Sequence, residues 1–309
     1  MSLPFLQSYL GLSNSLQTAQ GGAATISRGL IAGGYTGAFS NVIDYVNIST
    51  TGNATDFGDL TVARSNLAGC ASATRGVFGA GNQGSTSNVI DYVTIATTGN
   101  ATDFGDVTVA RYGVGACASA TRGVFAGGYG GGYTNVIDYI TIATTGNATD
   151  FGDLTITMYN LAGCASATRG LFGGSNISSS YSNVIDYITI ATTGNATDFG
   201  DLTVHRGEAA ACASATRGVW GGGTTGSSSN VIDYITIATT GNATDFGDLT
   251  VTRQASAGCA SSTRGLFSGG YTGVETNVID YITIATTGNA TDFGDLTLAR
   301  RMFASCAGS

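Results

Sequence analysis

Apolar residues in this chain recur on a short period and a long one. In the segment 136–142, Val136, Ile140 and Ile142 fall on one face of an extended strand, and Ile137 and Tyr139 on the other. β-Branched and aromatic residues repeating with a period of two predict β-strands. Apolar side chains on both faces predict a sheet stacked between two others. The long period is about 47 residues. Asp-Phe-Gly-Asp recurs with its phenylalanine at 57, 104, 151, 199, 246 and 293, Arg-Gly pairs begin at 28, 75, 122, 169, 217 and 264, and cysteines keep the same beat at 70, 117, 164, 212, 259 and 306. Each copy divides into four strand-like pieces, at 116–120, 122–128, 135–142 and 150–157 in the third copy. Glycine-containing loops separate them, and the Thr-Thr-Gly-Asn turn at 144–147 is expected to close a hairpin.

One such unit cannot bury its own apolar face, so units of this length stack in a ring or solenoid. Four short antiparallel strands per unit predict an all-β, six-bladed β-propeller with one copy per blade. The first strand of each copy is built from Gly, Ala, Cys and Ser, which suits the crowded position nearest the axis. Seven candidate inner strands serve six sets of the other three, from 21–27 to 304–309. Cys306 lies in register, so 303–307 is expected to complete the blade begun at Arg28 and close the ring. The propeller then covers 28–309, and residues 1–27 remain as an N-terminal tail. Leu6, Tyr9, Leu10 and Leu16 give that tail a short apolar stripe at roughly helical spacing, a candidate attachment to a partner protein.

The order Arg-Gly-Val-Phe-Ala-Gly-Gly, loop, Asn-Val-Ile-Asp-Tyr, turn, aromatic residue resembles a kelch repeat. Gly127-Gly128 match the di-glycine that ends the second strand of that family, Tyr139 matches the aromatic after the third, and Phe151 stands where tryptophan is usual. The uniform Asn-Ala-Thr-Asp-Phe-Gly-Asp-Leu-Thr-Val-Ala-Arg repeats are similar to kelch-like virion proteins of tailed bacteriophages. That resemblance implies a non-enzymatic virion component, a fibre or surface attachment module, joined to other virion proteins through its tail. Fold alone does not give function.

Composition removes several alternatives. All 12 basic residues are arginine and the net charge is −8, a poor match to a polyanion, so no nucleic-acid partner is expected. No window of some 18 apolar residues predicts a membrane span. Residues 1–20 lack a basic region followed by an apolar core, which argues against a secretion signal and fits a virion protein made in the host cytoplasm. The cysteines follow the repeat and read as small buried apolar residues. No cofactor and no metal are expected: His205 is the one histidine and reads as a surface residue, and the Asp-rich turn at 53–59 lacks EF-hand spacing. Trp220 reads as core, and the recurring Asn-Ala-Thr sequons as hairpin sequence. Asp-Phe-Gly occurs without any lysine or His-Arg-Asp and is no kinase motif.

Paired carboxylates raise polysaccharide hydrolysis as a third reading. Asp56 and Asp59 recur in every copy, however, and an active site needs two carboxyls in different environments. They are expected to serve as turn caps and Asp–Arg ties. Mid-strand Asp44 and its equivalents are expected to pair with Arg28 and its equivalents, since buried charges need partners.

The copies differ almost only in two segments. The loop after the second strand (35–40, 82–87, 129–134, 176–182, 224–229, 271–276) and the loop before the first strand both change from copy to copy. Antiparallel strands place these two loops on one face and the constant turns on the other. The variable loops are rich in Tyr, Ser, Gly, Asn and Thr, and hold Tyr35, Tyr112, Tyr129, Tyr133, Tyr159, Tyr181 and Tyr271. Tyrosine offers rigid amphipathic contact area and small polar residues adaptable hydrogen bonding. The expected function is therefore binding, and the phage resemblance implies a host-surface glycan or protein as the ligand. A purely structural virion role, with loops packed on neighbouring subunits, is the alternative.

Overall fold

A computed structural model of the protein describes residues 27–178 and 180–308. They form six four-stranded antiparallel blades in a ring. Blade one runs from the axis outward as Ala304–Gly308, Arg28–Ala32, Val42–Asn47 and Thr55–Asp59, so the last strand of the chain closes the ring as expected. Blade three shows the repeat in sequence order: Gly115–Ala118, Arg122–Ala126, Val136–Thr141 and Thr149–Asp153. Blades two, four, five and six begin at Ala68–Ala71, Ala162–Ala165, Ala210–Ala213 and Ala257–Ala260. Residues 1–26, with Leu6, Tyr9, Leu10 and Leu16, lie outside the described residues. Ser27 shares a depression with Ser49, Ser214 and Ser261, so the chain enters blade one from the constant face.

The outer strand of blade three is shorter than its apolar pattern predicts, although that of blade five runs Thr244–Arg253, and a bulge explains what the pattern was serving. Ile137 pairs with Gly152 and Asp138 with Asp150, which leaves Phe151 as the extra residue. An unpaired residue in a bulge is re-aimed out of the alternation. Phe151 is thereby turned into the core, 2% exposed, edge-on to Tyr139 with ring centroids 5.9 Å apart. The guanidinium of Arg122 covers the other side of Tyr139 at 4.5 Å. Each blade repeats this stack of arginine, tyrosine and phenylalanine, so Phe does the filling that a larger indole would do elsewhere.

Blade-to-blade joints consume the rest of the constant sequence. Beyond Asp153 the chain leaves its sheet and carries Thr155 to the next blade, where its hydroxyl donates to Asp186 at 2.6 Å. Arginines three residues after that threonine complete the joint in five of the six seams, at 2.6–3.0 Å from the buried aspartate. This corrects the expected pairing. Asp44 is neutralised by Arg300 of blade six, not by Arg28; Arg28 lies over Tyr45 and donates to the Ile95 carbonyl of blade two at 2.8 Å. The reason is reach: a mid-strand aspartate points into the seam, and the preceding blade's departing chain passes directly over it. In the seam between blades three and four Met158 holds the arginine position, and Asp186 has no ion pair among the described residues.

Asp-Phe-Gly-Asp is a joint as well. Gly58 has φ +146°, and a β-carbon there would sit 2.5 Å from the Gly99 backbone of the next blade's constant turn. That turn lies across the outer strand: Gly99 N–H donates to the Phe57 carbonyl at 2.7 Å, and Asn100 Oδ1 accepts from Asp59 N–H at 3.1 Å. Each blade thus covers the exposed edge of the one before it, where unpaired strand edges invite aggregation. The sequon asparagines are inter-blade acceptors, a role that local hairpin sequence does not describe. Asp56 is exposed and Asp59 half-buried, and neither forms an ion pair among the described residues, so the expected Asp–Arg ties are absent there.

Small residues set the centre. All six cysteines are buried and unbridged. Each thiol faces the Arg-Gly glycine of the next blade; a methyl at Gly123 would meet Cys70 Sγ at 2.7 Å. Burial pushes the thiols of Cys70, Cys164 and Cys259 up to about 12, which keeps them protonated and inert. Beside the cysteines, Gly and a larger residue alternate around the axis: Gly69, Ala116, Gly163, Ala211, Gly258, Ser305. A β-carbon at Gly69 would lie 2.8 Å from the Ser305 carbonyl oxygen, and one at Gly258 2.6 Å from that of Ala211. The inner strands interlock by size, as tapered barrels and propellers do.

Candidate binding face

Both variable loops of every blade emerge on one face, and their backbones are locked together. In blade three Tyr112 N–H donates to the Tyr129 carbonyl at 3.1 Å and Tyr129 N–H returns to Tyr112 at 2.8 Å. The same reciprocal pair joins Arg301 with Tyr35, Ser65 with Asn82, Tyr159 with Asn176, Gly207 with Thr224 and Gln254 with Tyr271. Side chains therefore vary around a backbone bridge that all six blades share.

A second device fixes the frame to the axis. The residues after these bridges, Asn66, Gly113, Asn160, Glu208, Ala255 and Met302, all have φ between 51° and 68°. Each N–H donates to the carbonyl of the residue in the preceding blade, at 2.6–3.1 Å, and Asn66 N–H closes the circle on Met302. Five of these six carry side chains in a left-handed conformation that costs strain unless context imposes it. Here a closed ring of six backbone hydrogen bonds imposes it. The ring rims an axial depression. Glu208 is its one charged side chain: Asn160 donates to Oε1 and Gln254 to Oε2, both at 3.2 Å. Burial pushes its carboxyl up, against those hydrogen bonds and the charge of Arg301.

Across four of the seams, one loop residue of a blade meets the bridge residue of the next: Tyr133 with Tyr159, Tyr181 with Gly207, Ser228 with Gln254 and Glu275 with Arg301. Four of the expected tyrosines meet in this way. Tyr133 of blade three stacks on Tyr159 of blade four with centroids 5.7 Å apart, and Tyr112 and Tyr129 pack within 5.5–6.3 Å of each other and of Tyr159. Tyr133 is 38% exposed, the outermost of the four. Burial raises Tyr159 to about 12, with repulsion from Tyr112 adding to it, so its hydroxyl stays a protonated donor. Tyr35 and Tyr271 form a separate group on either side of Arg301, with guanidinium-to-ring distances of 5.5 and 4.6 Å. Tyr181 stands apart from both, against Gly207.

Sequence reasoning marked the tyrosines by their type and missed the axial ring. Its signal was the middle position of the loop before each inner strand, where Asn appears twice and Gly once, residues that tolerate positive φ. Among the described residues no group of three or more His, Cys, Asp or Glu is arranged to hold a metal. His205 is exposed and Trp220 fully buried, as expected. No protein-family model matches the chain, and no curated protein is similar to it.

Proposed function

We propose that this propeller is a non-enzymatic binding module that engages a host-surface glycan or protein with its variable face. The observation that carries this reading is the tyrosine quartet Tyr112, Tyr129, Tyr133 and Tyr159, gathered across one seam on a backbone frame common to all blades. Clustered aromatic side chains held rigid lose little entropy on binding, which is how a few residues come to dominate an interface. The two glutamates that depart from the repeat support the absence of catalysis. Glu208 is held by two amides and Glu275 lies 3.4 Å from Arg301, so hydrogen bonds and an ion pair already engage both carboxylates. The likeness of the repeats to kelch-like phage virion proteins supports mounting such a reader on a virion.

The test is a broad glycan array, with host-cell pull-down beside it, on the protein and a variant carrying Tyr112→Ser, Tyr129→Asn, Tyr133→Thr and Tyr159→Ser. These are the residues blade two uses at the same positions, so the frame tolerates them. Binding by the parent that falls at least about tenfold in the variant supports the reading. Equal binding by both moves the site off the quartet. No binding to either glycan or cell favours the structural alternative, in which the loops pack on neighbouring subunits.

A further inference from the structure

The seam between blades six and one lies three seams from the tyrosine quartet, directly across the ring. Its cross-blade pair occupies the positions of Tyr133 and Tyr159 but consists of Glu275 and Arg301, with Oε1 3.4 Å from Nε. Arg301 is set between two aromatic rings, those of Tyr271 and Tyr35. It and Glu275 remain 26% and 29% exposed, so a ligand can reach both.

Arginine accounting makes Arg301 exceptional. Of the 12 arginines, six lie over the third-strand tyrosines and five neutralise buried aspartates, which leaves one. The charges added to the repeat are Glu208, Glu275 and Arg301, and the last two form this seam's pair. Glu208 feels the charge of Arg301, and its partner Gln254 is bridged to Tyr271.

The mixture of signs selects the ligand class. A carboxylate or phosphate drawn to Arg301 meets Glu275 beside it, and an ammonium group drawn to Glu275 meets Arg301. A neutral polyol satisfies both: one hydroxyl oxygen accepts from a guanidinium N–H while the adjacent hydroxyl donates to the carboxylate. Such charge-assisted hydrogen bonds are about twice as strong as neutral ones. The C–H face of a sugar ring also packs on a tyrosine ring without needing charge.

We propose that the Glu275–Arg301 seam is a carbohydrate subsite for a neutral sugar residue, held through two adjacent hydroxyls. The proposal rests on the reading of the variable face as a glycan reader. The experiment measures binding to neutral, acidic and amino-sugar oligosaccharides by the full chain, Arg301→Gln, Glu275→Thr and the quartet variant. Gln254 and Thr86 are the repeat's own residues at these two positions, and thermal melting verifies that each variant is folded. The expected result is preference for neutral glycans in the parent and a loss of tenfold or more in both single variants. Two results overturn the subsite: parent binding that neither variant weakens, with the glycan reading intact, or a parent preference for acidic or amino sugars. If the parent binds no glycan, the reading of the face fails and the subsite fails with it.

Discussion

Arg300 Nη2 stands 3.0 Å from Asp44 Oδ2, and this fully buried pair joins residues 256 positions apart across the point where the ring closes. The guanidinium also donates to the carbonyls of Ile31 and Val42, at 3.0 and 2.8 Å. Removing one partner of such a pair strands the other charge out of water, at about 3–5 kcal/mol. Arg300→Met is therefore expected to lower unfolding free energy by that order in denaturant titration. Adding Asp44→Leu should restore a large part of it, because an apolar pair leaves no orphaned charge.

Met158→Arg is expected to stabilise the protein at neutral pH. Asp186 is buried without the arginine that its five counterparts have, and burial raises its carboxyl above the ordinary aspartate value. A carboxyl whose folded pKa is raised costs stability once pH rises above its unfolded pKa, and costs nothing when protonated in both states. The variant's gain over the parent should thus be full at pH 7 and shrink as pH falls toward 4. Melting curves across that window measure it, and a pH-independent difference would contradict the account.

Gly123→Ala should destabilise by about 1–3 kcal/mol, since overpacking a filled interior forces side chains off their rotamers. The added methyl meets Cys70 Sγ, so Cys70→Ala in the same chain should recover part of the loss. A double-mutant cycle gives the coupling directly. With their thiols protonated, the six cysteines should resist alkylation at pH 8 in the native protein and react together on unfolding.

Glu208→Asn is expected to raise the melting temperature at pH 7. It removes a carboxyl that burial disfavours, and Asn suits the φ of 57° better than Glu does. The charge-dependent share of the gain should vanish below the ordinary glutamate pKa, for the reason given for Asp186. The conformational share, which is independent of charge, should persist in acid.

Blade count, strand order and ring closure were legible because each follows from a repeated signal, the beat of Phe57, Cys70 and Arg75 and the register of Cys306. The partner of Asp44 was not. Two arginine series recur with the same period, so period alone cannot choose between Arg28 and Arg300; that choice depends on where the departing outer strand crosses the seam. The tyrosines were visible one by one in the loops. Their division into a quartet, an arginine-centred pair and a lone Tyr181 depends on seam geometry, which joins residues about 26 positions apart in neighbouring copies.

The alternation of Gly69, Gly163 and Gly258 with Ala116, Ala211 and Ser305 gives the array a parity. An even number of blades lets every bulky inner residue sit between two glycines. Gain or loss of a single 47-residue unit puts two like residues side by side, either crowding the axis or leaving a gap in it. Unequal recombination among such similar copies produces odd rings as readily as even ones, but only the even ones inherit an axis that fits. The unit of growth for this propeller is then a pair of blades, although the sequence is written one blade at a time.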